Sequence, residues 1–137
     1  MPLNRTPLVG NQIVAMGNVS LQRTYTLAGS PILGQNTFSI VNELNVLGLP
    51  SLTYWVRLNS ANPGIIFTPL FAVQNTTAGA QTVPNWLPFT NGANLVPGNV
   101  ALFTVRSAVA NAAVEFTIPG ANPAQTISVD VVITAGG

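Results

Sequence analysis

The feature that most limits what this chain can fold into is the spacing of its prolines. Pro31, Pro50, Pro63, Pro69, Pro84, Pro88, Pro97, Pro119 and Pro123 interrupt it at short intervals, with glycines between them. A proline inside a helix removes a hydrogen bond and clashes with the preceding turn, so this spacing leaves no room for several long helices. The segments between the breaks alternate with period two, which places one set of side chains on each face of a strand.

In Gln125–Ala135 (QTISVDVVITA), Ile127, Val129, Val131 and Ile133 share one face, and Thr126, Ser128, Asp130, Val132 and Thr134 share the other. Just upstream, Val114, Phe116 and Ile118 alternate with Ala113, Glu115 and Thr117. The PGANPA between these runs is a turn, so the two strands form a hairpin or a crossover between sheets. Asn99–Ser107 and Ser51–Asn59 are strands rich in β-branched and aromatic residues, each with one arginine near its end. After the turn ANPG, the run IIFTPLFAVQN carries Pro69, which cannot donate to a ladder; this strand is expected at an edge or bulged. Asn18–Leu27 and Asn36–Asn42 complete a set of seven.

Between Thr76 and Gly98 the chain is dense in turn residues yet holds Trp86, Leu87 and Phe89. An ordered, protruding or partner-packed loop with room for one short strand is expected there. A helical turn at Val41–Leu49 is a weak alternative, given the Asn and Gly in it. Residues 1–17 show no alternation and read as an extended arm whose Leu3, Leu8, Val9, Ile13 and Val14 would find contacts on a neighbour; an edge strand at Gln12–Met16 is the competing reading. The expectation is an all-β fold: an antiparallel β-sandwich or jelly roll of about seven or eight strands, one domain over 18–137, with the N-terminal arm over 1–17.

Charge narrows the function. Only 5% of the residues are charged, against roughly 25% in an ordinary soluble domain. The cations are Arg5, Arg23, Arg57 and Arg106, the acids are Glu43, Glu115 and Asp130, and the net charge is +1. So little self-repulsion favours association with copies of itself. Four scattered arginines make no phosphate-binding face, so nucleic acid is not an expected partner. The opening segment lacks the order of a secretory signal, and no apolar run reaches the roughly 18 residues of a membrane span; synthesis in the cytosol and no membrane partner are expected.

The chain contains no His, Cys or Lys, which removes the usual general base, the thiol nucleophile, Schiff-base chemistry and the commonest soft metal ligands. Two carboxylates, Glu115 and Asp130, lie on the polar faces of strands that look adjacent, the one arrangement open to a glycosidase-like pair. Pairing of each with a cross-strand arginine, Arg57 or Arg106, is the simpler reading. Three dispersed acids do not suit calcium. No catalysis, cofactor or metal is expected. Trp55 alternates with Tyr54, Val56 and Leu58: either it faces outward beside Arg57 as a contact patch, or both faces of its strand are covered.

The apolar arm Met1–Gly17, the run YWVRLNSANPG with its proline-broken successor, the stretch PNWLPFTNGANLVPG and the ending VDVVITAGG together resemble the small virion proteins of tailed bacteriophages, namely capsid decoration or cement proteins and related β-sandwich domains of tails and fibres. The resemblance implies a protein assembled in the host cytoplasm onto the capsid exterior. It implies the major capsid protein and copies of itself as partners, often as a homotrimer. Leu3, Leu8, Val9, Ile13, Val14, Trp55, Arg57, Trp86 and Phe89 are the interface candidates. The alternatives are another virion component (coat, tail or fibre) or a carbohydrate-binding module using Tyr54, Trp55 and Trp86, and, from a third class, a hydrolase.

Overall fold

The computed structural model describes residues 17–59, 64–78 and 81–137. The interface candidates Leu3, Leu8, Val9, Ile13 and Val14, and the arm or edge strand read into that segment, lie outside them. The described residues form eleven strands and no helix: β1 (Asn18–Ala28), β2 (Thr37–Asn45), β3 (Ser51–Leu58), β4 (Ile65–Ala72), β5 (Asn75–Ala78), β6 (Gln81–Pro84), β7 (Leu87–Pro88), β8 (Ala93–Leu95), β9 (Val100–Arg106), β10 (Asn111–Ile118) and β11 (Thr126–Gly136). The long ones are the seven read from periodicity. The turn-rich stretch holds four short strands where room for one was expected, because its Asn and Thr residues pair in a small β5–β6 ribbon and its apolar residues dock on β4.

The long strands form two sheets, ordered β9-β3-β11-β1 and β2-β10-β4-β7, with β8 also on β4. If β7 and β8 are counted as one interrupted position, the chain pairs first with last and inward from there: β1 with β11, β2 with β10, β3 with β9, and β4 with β7 and β8. A long hairpin rolled onto itself has this order, and β3–β11 and β4–β10 pairings then close each sheet. The fold is a jelly roll. β10 and β11, sequence neighbours, lie in opposite sheets, so the connection between them is a crossover.

Period-two alternation places the core. Leu52, Tyr54, Val56 and Leu58 of β3 and Ile127, Val129, Val131, Ile133 and Ala135 of β11 line the inner face of the first sheet, all 0–1% exposed; Val114, Phe116 and Ile118 of β10, with Ile65 and Phe67 of β4, face them from the second. Each of the Val, Leu, Ile and Phe side chains among them contributes about 1.5–3 kcal/mol by leaving water.

Both open sides of the sandwich are closed by side chains. On one side, Asn42 adopts a left-handed conformation (φ 62°) at the irregularity in the β2–β10 register, a backbone state asparagine tolerates. Its amide Nδ2 donates to the Leu21 carbonyl at 3.1 Å and its Oδ1 accepts from the Tyr25 hydroxyl at 3.0 Å, tying β2 to β1. This bulged strand runs on to Asn45 in place of the helical turn considered at Val41–Leu49. On the other side Phe89 stacks on Phe71 (centroids 4.3 Å apart) and meets Phe103 at 5.9 Å and Tyr54 at 6.1 Å. Pro69 sits neither at an edge nor in a bulge: it lies where β4 has passed β8, paired at Ile65–Phe67, and has yet to reach β7, paired at Leu70–Phe71. No ladder donor is required of it on that side.

Candidate interaction surfaces

The strands leave two broad outer faces. On the first sheet, cross-strand register sorts the outward side chains into rows. Val100, Arg57, Asp130 and Thr24 form one; Leu102, Trp55, Val132 and Gln22 the next; Thr104, Thr53, Thr134 and Ser20 the third; and Arg106 and Ser51 begin a fourth. Leu102 is 64% exposed and Val100 49%. Trp55 points outward and is half-buried between Leu102 and Val132.

Arg57 does pair with an acid, Asp130: its Nη2 lies 3.0 Å from Asp130 Oδ2 and its Nε donates to Asn59 Oδ1 at 2.9 Å. Asp130 Oδ1 accepts from the Thr24 hydroxyl at 2.7 Å. The Thr24 hydrogen bond, helped by Asn59 and Arg57 and opposed by burial, holds this carboxyl below its ordinary value. An exposed pair of this kind contributes at most about 1 kcal/mol. Among the described residues Arg106 meets no acid; its Nη1 donates to Ser51 Oγ at 2.9 Å, beside a shallow depression of about 260 Å³ floored by Thr53 and Thr104.

The outer face of the second sheet is shaped differently. Phe38, Thr117 and Ile66 form one row across it and Ile40, Glu115 and Thr68 the next. Phe38 is 63% exposed, with Ile40 and Ile66 partly so. Between β7 and β8 the chain sends Phe89 inward, while Thr90–Gly92 pass over the sheet. There Gly92 comes so close to Ile66 and Thr68 that a Cβ would collide with both side chains. Trp86, Pro88 and this segment wall an open recess of about 330 Å³ whose floor is Ile40, Thr68, Leu70 and Glu115. Ala113 and Thr117, assigned to a polar outer face from alternation, are buried, while Glu115 between them is half-buried.

This geometry separates residues that sequence distance groups together. Glu115 and Asp130 lie on opposite outer faces of the sandwich, so they cannot flank one glycosidic bond, and Glu115 has neither Arg57 nor Arg106 on its sheet. Trp55 and Trp86 are likewise on opposite faces, and Tyr54 is fully buried. The three aromatics weighed as one sugar-binding platform are therefore not one surface. Phe89 gives its ring to the core cluster, leaving Trp86 and the exposed Leu87 on the outside. The recess itself was not foreseen: period two puts Glu115 outward, but only the topology reveals that the Trp86 segment crosses the same sheet.

No protein-family model and no curated protein matches the chain. Among solved structures, five chains match. One comes from work on Bacillus endospore appendages as a family of disulfide-linked pili (13% identity, TM-score 0.43, covering 98% of both chains). Another is from infectious bursal disease virus, Gx strain (12% identity, TM-score 0.49, covering 88% of this chain and 33% of that one). The chain thus spans about a third of the length of the viral protein it matches.

Proposed function

We propose that the chain is a structural subunit that works in an assembly: a capsid decoration or cement protein that binds the outer surface of a capsid lattice and stabilises the particle by protein–protein contacts. The major capsid protein and copies of itself are its partners, and the virion exterior is its location. The observation that carries this reading is the pair of outer faces, which expose large apolar side chains such as Leu102 (64%) and Phe38 (63%) on a chain with 5% charged residues. Exposed apolar patches with few charges suit contacts that repeat over a lattice and depend little on salt. The scaffold alone does not choose a function, since jelly rolls serve capsids and lectins alike.

The test compares particles with and without the subunit. Those lacking it are expected to lose integrity at lower temperature, and re-adding the purified chain restores them; particles equally heat-stable in both forms would overturn the reading. A second reading has its own observation: the recess joins the indole of Trp86 to Glu115, Thr68 and Thr90, groups that could hold a sugar. Glycan-array binding that disappears in Trp86→Ala would favour it.

A further inference from the structure

The described charges are divided between the two sheets. Glu43 and Glu115 both belong to the second sheet, on β2 and β10, and among the described residues no arginine shares that sheet. The first sheet carries Arg23, Arg57 and Arg106 with Asp130 alone, and Arg57 already holds Asp130. Arg23 is in register with the inward-facing Val131 at the open side of edge strand β1, so the first outer face is left with one uncompensated cation, Arg106, and the second with two anions, Glu43 and Glu115. Each face also presents exposed apolar side chains: Leu102 and Val100 on the first, Phe38, Ile40 and Ile66 on the second.

We propose that the recess containing Glu115 and Trp86 is a receptor for a guanidinium group, and that the occupant is Arg106 on the first sheet of a second copy. Copies would then dock with unlike outer faces together. A carboxylate at the floor and an indole at the wall are the two groups that hold a planar cation best, one through charge-assisted hydrogen bonds and the other through the ring face. Arg106 is exposed at the end of β9 and, among the described residues, is held by the neutral Ser51 hydroxyl, so exchanging that bond for Glu115 adds an ion pair without breaking one.

Charge also selects the orientation. Pairing two second-sheet faces would bring Glu43 and Glu115 of both copies together, and pairing two first-sheet faces would offer Arg106 no unpaired carboxylate, since Asp130 is held by Arg57; both symmetric arrangements are disfavoured. The contact is thus heterologous. Because the two faces are on opposite sides of one sandwich, repeating it builds an open stack rather than a closed pair. The inference rests on reading the chain as an assembling subunit, but not on the identity of the capsid partner.

Arg106→Gln and Glu115→Gln lie on the surface and leave the core intact, which circular dichroism of each variant checks. Sedimentation of the full-length wild type should show concentration-dependent association that weakens in about 0.5 M salt. Each variant alone should associate about tenfold more weakly. Their equimolar mixture should recover a one-to-one complex at wild-type affinity, since Glu115→Gln keeps Arg106 and Arg106→Gln keeps the recess. Trp86 fluorescence should shift on formation of that complex. Association of either variant at wild-type strength, or a mixture no tighter than its components, overturns this docking while leaving the assembly reading standing. A wild-type chain that stays monomeric, or Trp86-dependent glycan binding by such a monomer, overturns both.

Discussion

The fully buried hydroxyl of Tyr54 joins the two sheets through the core, and replacing Tyr54 with phenylalanine isolates that link. Its hydroxyl donates to the Leu70 carbonyl at 2.7 Å in a fully buried setting. Phenylalanine keeps the ring in place against Phe103 and Phe89, at 5.8 and 6.1 Å between centroids, and removes only the hydrogen bond. The cost is that of one buried hydrogen bond with its acceptor left partly unpaired, about 1–2 kcal/mol. With a urea slope of about 1.5 kcal/mol/M, the unfolding midpoint should fall by roughly 0.7–1.3 M. Tyr54→Ala, which also empties the ring's volume, should cost about 3–5 kcal/mol. The same hydroxyl gives a pH signature. Burial holds the Tyr54 phenol above its ordinary value of 10.0, so the unfolded chain ionises first. The stability tied to this group is complete below that value and declines as pH rises beyond it. Tyr54→Phe should therefore have the flatter alkaline limb. An unchanged urea midpoint in Tyr54→Phe, with parallel alkaline limbs, would refute the claim that this bond links the sheets.

Two further perturbations test other parts of the structure. Asp130→Asn removes a carboxyl held below its ordinary value of 3.8 by Thr24, Asn59 and Arg57; the stability it supplies is present above that value and lost as pH falls through the lowered one, so the variant should show a flatter acid limb in urea titrations, and coincident limbs would contradict the assignment. Gly120→Ala would drive a methyl group into the backbone of Ile32 and Gln35, where no flexible side chain can yield. A loss of about 2–3 kcal/mol is expected, and a near-neutral result in thermal unfolding would mean that the 31–36 loop is not packed as described.

How much of this was legible in the sequence follows from what period two can and cannot encode. Alternation in Gln125–Ala135 names Ile127, Val129, Val131 and Ile133 as core, and each is 0% exposed. It also turns Glu115 and Asp130 away from the core correctly. It says nothing about which sheet a strand joins, because partner choice depends on contacts far apart in the chain. That is why Glu115 and Asp130 looked like neighbours when they lie on opposite faces. Pro69 misled for a related reason: the missing N–H demands an unpaired position, and a gap between two short strands satisfies that demand as well as an edge does. The stretch from Thr76 to Gly98 was hardest to read, since its docking on β4 depends on two-residue and three-residue strands too short to show a period. Trp86 stood out there as an aromatic among turn residues, but its recess could not be read.

The claim that the protein acts through contacts with other protein surfaces is tested most directly by its mass in solution. Multi-angle light scattering of the purified full-length chain, over a range of concentration and at low and moderate salt, should give a mass that rises above the 14.3 kDa of one chain as concentration increases. A mass fixed at 14.3 kDa under every condition would contradict the account.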